Sequence, residues 1–240
     1  MFATRQRVAG AAGVIDVAFT DRDGGVSVPP FDSLNLGGPD GAENRRLVAS
    51  ALGVVDLVVM RQVHGTDVQI VDGVTDEPPT CDALVSTTPA VALCVRAADC
   101  VPVVLADPDV GVVGVAHAGR GGMASGVVSA TVAAMRGLGA DRVTGWIGPH
   151  VCGGCYEVPP QLRADVAARV PAAHACTTWG TPSLDLGAGV AAQLRAAGCD
   201  VIDASRCTRE SPELYSYRRD RDAAGRHGGI VVFTRAGADG

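Results

Sequence analysis

The chain has 240 residues, 47% of them hydrophobic and 19% charged, with 31 Gly, 14 Pro and a net charge of -6. That is enough apolar chain to bury a substantial core, and too little net charge for a disordered one. All 20 basic residues are Arg, interspersed with 26 acids, so the sequence offers no positive field to hold nucleic acid or an anionic membrane.

Short, β-branched runs predict strands over Val14–Thr20, Leu57–Val63, Val68–Val71, Val91–Ala97, Val101–Ala106, Val110–Ala116, Thr144–Ile147, Val201–Ser205 and Ile230–Phe233. Between the first strand and the first helix lies DRDGGVSVPPFDSLNLGGPDG, Asp21–Gly41, a predicted irregular segment of a length at which loops often carry function. Helices are predicted over Ala42–Leu52, Met123–Leu138, Gln161–Val170 and Leu184–Ala197. In the second of these, Val127, Val128, Thr131, Val132, Met135 and Leu138 recur at helical spacing, and Gly137 and Gly139 provide its stop. Strands outnumber helices and come in runs, which predicts an α+β protein of packed sheet and helix layers. Neither GxGxxG nor GxxxxGK[ST] occurs, so the common nucleotide-phosphate motifs are absent.

Eight Cys and five His are the informative count. Eight thiols in a chain of this length fall far below a disulfide scaffold. The first twenty residues show no secretory pattern, and no apolar run reaches the roughly 18 residues of a membrane span. A cytoplasmic protein with reduced thiols is expected, its Cys serving as fillers, ligands or nucleophiles.

Three segments place a soft or borderline ligand at a strand end: His64 in LVVMRQVHG, Cys100 in ALCVRAADCVPVVLADP, and His117 in GVVGVAHAGRGG. Two imidazoles and a thiolate are the ligand count of a catalytic zinc site with its fourth position open. The CxxC of Cys152 and Cys155 has no second CxxC to complete a four-thiolate site, and reads as a tight turn carrying two small thiols. Cys94, Cys176, Cys199 and Cys207 read as small hydrophobes. In LYSYRRDRDAAG, Arg218 or Arg219 offers a planar, bidentate guanidinium to a phosphate. Gly119–Gly122, directly after His117, offers backbone N–H groups to an anion.

The segments SLNLG (33–37), QVHG (62–65), DALVS (82–86), ADCVPVVLAD (98–107), AHAG (116–119), IGP with CYEV (147–158) and YSYRRD with GR (215–226) together resemble the YfiH-like family. That family is also called the laccase-domain, multicopper polyphenol oxidase or peptidoglycan-editing-factor family. The match runs in order over nearly the whole chain. It implies one domain over residues 1–240, an α/β protein built as a layered α-β-β-α sandwich with mixed sheets, similar in shape to cysteine-hydrolase-like deamidases. It also implies a metal set of His64, Cys100 and His117 holding zinc, with copper as the alternative ion. The implied activity is phosphorolysis of adenosine, inosine, guanosine and methylthioadenosine, with adenosine deamination beside it. Arg22, in a stretch resembling STRxGGVS, is then a phosphate or substrate contact, as are Asn35, Gln62 and Gly119. Asp82 or Asp99 is the implied proton shuttle.

Two departures stand out. The family's HAGWRG reads HAGRGG here, so Arg120 and Gly121 replace Trp and Arg, and ADALV reads CDALV, which adds the Cys81 thiol. Two alternative functions use the same residues. A copper polyphenol oxidase fits two His and one Cys, but phenol oxidation needs a further copper cluster, and this chain has five His and no HxH. A metal-free cysteine hydrolase editing peptidoglycan precursors would use Cys100 as nucleophile, His117 as base and Asp82 or Asp99 to orient it. Expected partners are a small-molecule nucleoside and phosphate, with neither nucleic acid nor membrane. The sequence carries no signal for oligomeric state.

Overall fold

Two sheets pack face to face in the computed structural model, which describes residues 1–75 and 77–237. The first sheet combines β1 (Phe2–Ala9), β2 (Gly13–Thr20), β3 (Leu57–Val58), β6 (Ala92–Ala97) and β13 (His227–Arg235) in the order β1-β2-β13-β6-β3. The second combines β4 (Val68–Ile70), β5 (Ala83–Ser86), β7 (Val101–Asp107), β8 (Val112–Ala118), β9 (Thr144–Ile147) and β12 (Asp200–Asp203) in the order β12-β9-β7-β8-β5-β4. Both are mixed: β3–β6, β4–β5 and β9–β12 pair parallel, while the other ladders are antiparallel. A separate hairpin joins β10 (His174–Cys176) to β11 (Pro182–Leu184).

Strand alternation assigns each side chain to a layer. Val231 and Phe233 of β13 point between the sheets, where they meet Ile15, Phe19, Val104, Val115 and Trp146. Ile230 and Val232 of the same strand face outward and pack with Val48 and Ala49 of helix α1 (Gly41–Leu52). On the other outer face, Val103 and Leu105 of β7 lie in one cluster with residues of α2 (Arg120–Ser125), α3 (Val127–Gly137), α4 (Pro160–Arg169) and α5 (Leu186–Ala196). The result is the expected α-β-β-α layering with mixed sheets. Among the described residues no helix is long and apolar enough to cross a membrane.

Several boundaries move for identifiable reasons. The single predicted helix Met123–Leu138 is two helices, because Gly126 adopts φ +95 and ends α2 before α3 begins. The predicted strand Leu57–Val63 shortens to two residues, since the chain leaves the sheet to deliver His64. β1 went unpredicted because its TRQR stretch lacks apolar alternation, as suits a strand at a sheet edge. The predicted irregular segment Asp21–Gly41 is irregular through Asp40, and Gly41 opens α1.

Candidate active site

Asp82, just before β5, organises the site. It is fully buried, and its carboxylate accepts hydrogen bonds from the backbone N–H groups of Val63 at 3.1 Å, His64 at 2.9 Å and Gly65 at 2.7 Å. The same carboxylate meets His117 Nδ1 at 2.8 Å. Burial alone would push the acid up, but His117 and the three N–H groups outweigh it and hold Asp82 down to about 2. His64 is held with φ +62, a conformation that the three-donor clasp of Asp82 sustains.

His117, near the end of β8, spends Nδ1 on Asp82, which leaves Nε2 as its ligand atom. Cys100, between β6 and β7, places Sγ 3.9 Å from His64 Nε2. The ligand atoms of His64, Cys100 and His117 all lie within 4.8 Å of one another. The two rings meet edge to face with centroids 4.7 Å apart. Burial opposes the Cys100 thiolate, but hydrogen bonds from His117 and His64 override it and bring the thiol down to about 6. Burial likewise opposes the charged form of His117, yet Asp82 and Cys100 raise it to about 9. The thiolate, the freed imidazole nitrogens and the anchoring carboxylate fit a borderline divalent ion such as zinc.

The triad opens into a cavity of about 900 Å³, large enough for a nucleoside-sized molecule and an anion. Arg61, Arg96, Arg218, Arg221 and Arg226 line it, with Phe31, Tyr156 and Tyr217 supplying aromatic faces. Only Arg218 of this cationic wall was singled out in the sequence. The other four come from separate segments that the fold alone brings together.

The remaining expected contacts fare differently. Asn35 lines the cavity, its Oδ1 accepting from the N–H groups of Gly37 and Arg226 at 2.9 and 2.8 Å. Gln62 also lines it, but both amide atoms are spent on the Arg96 backbone, at 2.7 and 3.0 Å, where the side chain acts as a short strand. Arg22 is not among the lining residues: it donates to the Asp32 carbonyl at 2.8 Å and stacks 5.0 Å from the Tyr215 ring centroid, clasping the long loop. Arg219 is likewise consumed, by the carbonyls of Thr208, Ser211 and Leu214.

Gly119 permits close approach of its neighbours. A Cβ there would sit 2.7 Å from His64 Cδ2 and 3.1 Å from Cys100 Sγ. Cβ atoms on Gly121 and Gly122 would lie 3.3 and 2.9 Å from the backbone oxygens of His64 and Gly65, so this turn packs closely on the His64 loop. Asp82 as a proton shuttle meets a physical obstacle, since four partners saturate a carboxylate already held near 2. Asp99 is similarly committed to Thr208, Ser216 and the Arg218 N–H. The added Cys81 thiol points away, fully buried between the sheets. Of the other imidazoles, His150 and His227 are buried against backbone carbonyls and His174 lies in β10. Among the described residues, no second imidazole cluster accompanies the triad.

This architecture is that of the YfiH-type proteins. The solved structures of the YfiH protein of Bacillus licheniformis and of YlmD from Geobacillus stearothermophilus each superpose with a TM-score of 0.82, at 28% and 31% identity. Each covers 92% of this chain, matching 93% and 92% of the respective structure. The family described as multi-copper polyphenol oxidoreductase laccase matches residues 16–234, and the chain belongs to it. Among curated relatives, one from Streptomyces coelicolor is 53% identical over 89% of this chain and 93% of its own length, and one from Streptomyces griseus is 50% identical over 95% and 98%. Both are named purine nucleoside phosphorylases, as is a Mycobacterium tuberculosis relative at 42% identity, covering 90% of this chain and 93% of its own length.

Proposed function

We propose that this chain is a zinc-dependent purine nucleoside phosphorylase acting on adenosine, inosine, guanosine and methylthioadenosine, with its chemistry at His64, Cys100 and His117. One observation carries the reading: a ligand triad fixed by Asp82 forms part of the wall of a cavity that is both cationic and aromatic. When bound by the triad, zinc supplies a Lewis acid that offsets developing negative charge and activates water.

The chain's own residues account for binding and orientation. With no Lys in the sequence, phosphate is held by guanidinium groups of the cavity wall, Arg218 foremost. Phe31, Tyr156 and Tyr217 supply faces for the purine. A phosphate oxygen bonds to ribose C1′ as the C1′–N9 bond breaks, its electron pair leaves with the purine, and the purine takes up a proton. Asp82 holds His117 in one tautomer and fixes His64; it orients and does not shuttle. Adenosine deamination belongs to the same proposal, with a water oxygen bonding to purine C6 as the C6–N bond to the amino group breaks and ammonia leaves with a proton. Copper in the same triad would lack, among the described residues, the imidazole-rich partner cluster that phenol oxidation requires.

A second reading, a metal-free cysteine hydrolase, is favoured by one feature: the Cys100 thiol held at about 6 between two imidazoles. Metal analysis with an adenosine-plus-phosphate assay separates the two. The phosphorylase reading expects adenine and ribose 1-phosphate, with His117→Ala cutting turnover by a factor on the order of a thousand and emptying the triad. Full turnover in His117→Ala, or in metal-stripped protein, overturns it.

A further inference from the structure

Away from the cavity floor, two tight turns face one another. Cys152-Gly153-Gly154-Cys155 follows β9, and the N–H groups of Cys155 and Tyr156 both donate to the Cys152 carbonyl at 3.0 Å. Cys207-Thr208-Arg209-Glu210 follows β12, closed by the Ser211 N–H on the Cys207 carbonyl at 3.0 Å. A parallel bridge between His150 and Cys207 sets the turns side by side, with the His150 N–H on the Arg206 carbonyl and the Thr208 N–H on the His150 carbonyl. Each turn therefore presents two ligand side chains at x2 spacing, one as CGGC and one as CTRE. The tight-turn reading of the CxxC was right about the backbone and missed its partner, because the fourth position is a carboxylate rather than a thiol.

The four ligand atoms converge. The sulfurs of Cys152, Cys155 and Cys207 and a carboxylate oxygen of Glu210 all lie within 4.8 Å of one another, and Cys155 Sγ is 3.4 Å from Glu210 Oε1. Ligands bound to zinc at about 2.3 Å stand about 3.8 Å apart at the corners of a tetrahedron. A contraction of less than about 1 Å closes the set. The Cys152 N–H already points at Cys207 Sγ at 3.5 Å, the kind of contact that supports a ligating thiolate. The first turn is held rigidly: Ser183 Oγ donates to the Gly153 carbonyl at 2.6 Å, and a Cβ on Gly153 would lie 2.9 Å from Asp185 Cβ. Cys155 is buried, Cys152 and Cys207 are half-buried and Glu210 is exposed, so an ion can enter from solvent.

We propose that Cys152, Cys155, Cys207 and Glu210 form a second metal site, a closed four-ligand zinc site with a structural role. Three thiolates favour zinc over magnesium or calcium, and a full set of protein ligands leaves no position for substrate. The site staples a strap to the body of the protein. Tyr156 follows Cys155 directly and lines the cavity, while the chain beyond Cys207 carries Thr208, Ser216 and Arg218 to Asp99. Arg218 then stacks 4.4 Å from the Tyr156 ring centroid, so the two stapled segments meet at the cavity wall.

The test counts zinc per chain by mass spectrometry of the metal, in protein loaded with zinc and freed of excess. About two ions are expected in the unaltered chain, about one in Cys100→Ser, about one in Cys155→Ser and none in the double variant. Cobalt added to Cys100→Ser should give a thiolate-to-cobalt charge-transfer band that Cys207→Ser in the same background removes. Because Cys155 is buried, Glu210→Gln provides an exposed variant that keeps the fold and loses zinc to a chelator roughly tenfold more readily. One zinc that survives Cys100→Ser but not Cys155→Ser upholds this site and removes the catalytic one. A zinc content that is the same in Cys155→Ser and Glu210→Gln as in the unaltered chain overturns it, as does an intact mass showing two of these thiols joined in a disulfide.

Discussion

The two sulfur clusters of this chain use similar atoms in opposite ways. At the cavity, one thiol stands between two imidazoles, a buried carboxylate fixes both histidines, and three ligands face a space large enough for substrate. At the strap, three thiols and an exposed carboxylate close on one another, with no histidine among the four ligand groups. The contrast teaches that the number of thiols says little about reactivity. The imidazoles beside Cys100 favour its thiolate, whereas burial, Glu210 and two neighbouring thiols oppose that of Cys155. One arrangement leaves a coordination position for chemistry, and the other fills it.

Thiol alkylation in metal-stripped protein is where this contrast should be largest. Cys100, held at about 6, is mostly thiolate at pH 7, while Cys155, pushed up to about 12, is almost entirely thiol. The lower nucleophilicity of the more acidic thiol recovers part of that difference, leaving a rate ratio on the order of a hundredfold. Peptide mass spectrometry after a timed iodoacetamide pulse reads the two sites separately. Below about pH 6 the Cys100 rate should fall as its thiolate takes up a proton. Equal rates at the two cysteines would erase the distinction.

Asp82→Asn sharpens the same comparison. The amide offers one acceptor oxygen where the carboxylate serves three backbone N–H groups and His117. Loss of that support should weaken zinc at the triad about 10- to 100-fold, read by competition with a chromophoric chelator. The strap site should keep its ion. If both sites empty together, Asp82 is holding the fold rather than the triad.

How much of this was legible in the chain depends on whether a role is local. His64, Cys100 and His117 stand out because each follows an apolar run and meets a turn, a pattern visible in a few residues of sequence. Packed sheet and helix layers also follow from short β-branched runs and one strongly periodic helix, with Gly126 as the break that periodicity concealed, whereas the α-β-β-α order is what the family resemblance implied. Asp82 was visible as a residue but not as the clasp of Val63, His64 and Gly65, since that depends on where β5 begins relative to a loop 17–19 residues earlier. The cationic wall was largely invisible, because Arg61, Arg96, Arg221 and Arg226 carry no common motif and meet only in space. Glu210 lay hidden for a plainer reason. A search for a second CxxC passes over CxxE, although a carboxylate ligates zinc as well.

The smallest effect expected separates two arginines offered on different grounds, Arg218 by its residue pattern and Arg22 by the family resemblance. Arg218 lines the cavity, with one guanidinium nitrogen on the Glu157 carbonyl at 2.8 Å and its plane over Tyr156. Its remaining donors are available to an anion, so Arg218→Ala should raise KM for phosphate about tenfold, the equivalent of about 1.4 kcal/mol. Arg22 spends its guanidinium on the Asp32 and Pro212 carbonyls and the Tyr215 ring. Arg22→Ala should therefore leave KM for phosphate within about twofold while lowering stability by about 1 kcal/mol, seen as a shift in urea midpoint at constant slope. A phosphate defect in Arg22→Ala with normal stability would mean that the long loop refolds toward the cavity when substrate binds. The anion contact would then belong to the loop, as the sequence comparison implied, rather than to the strap.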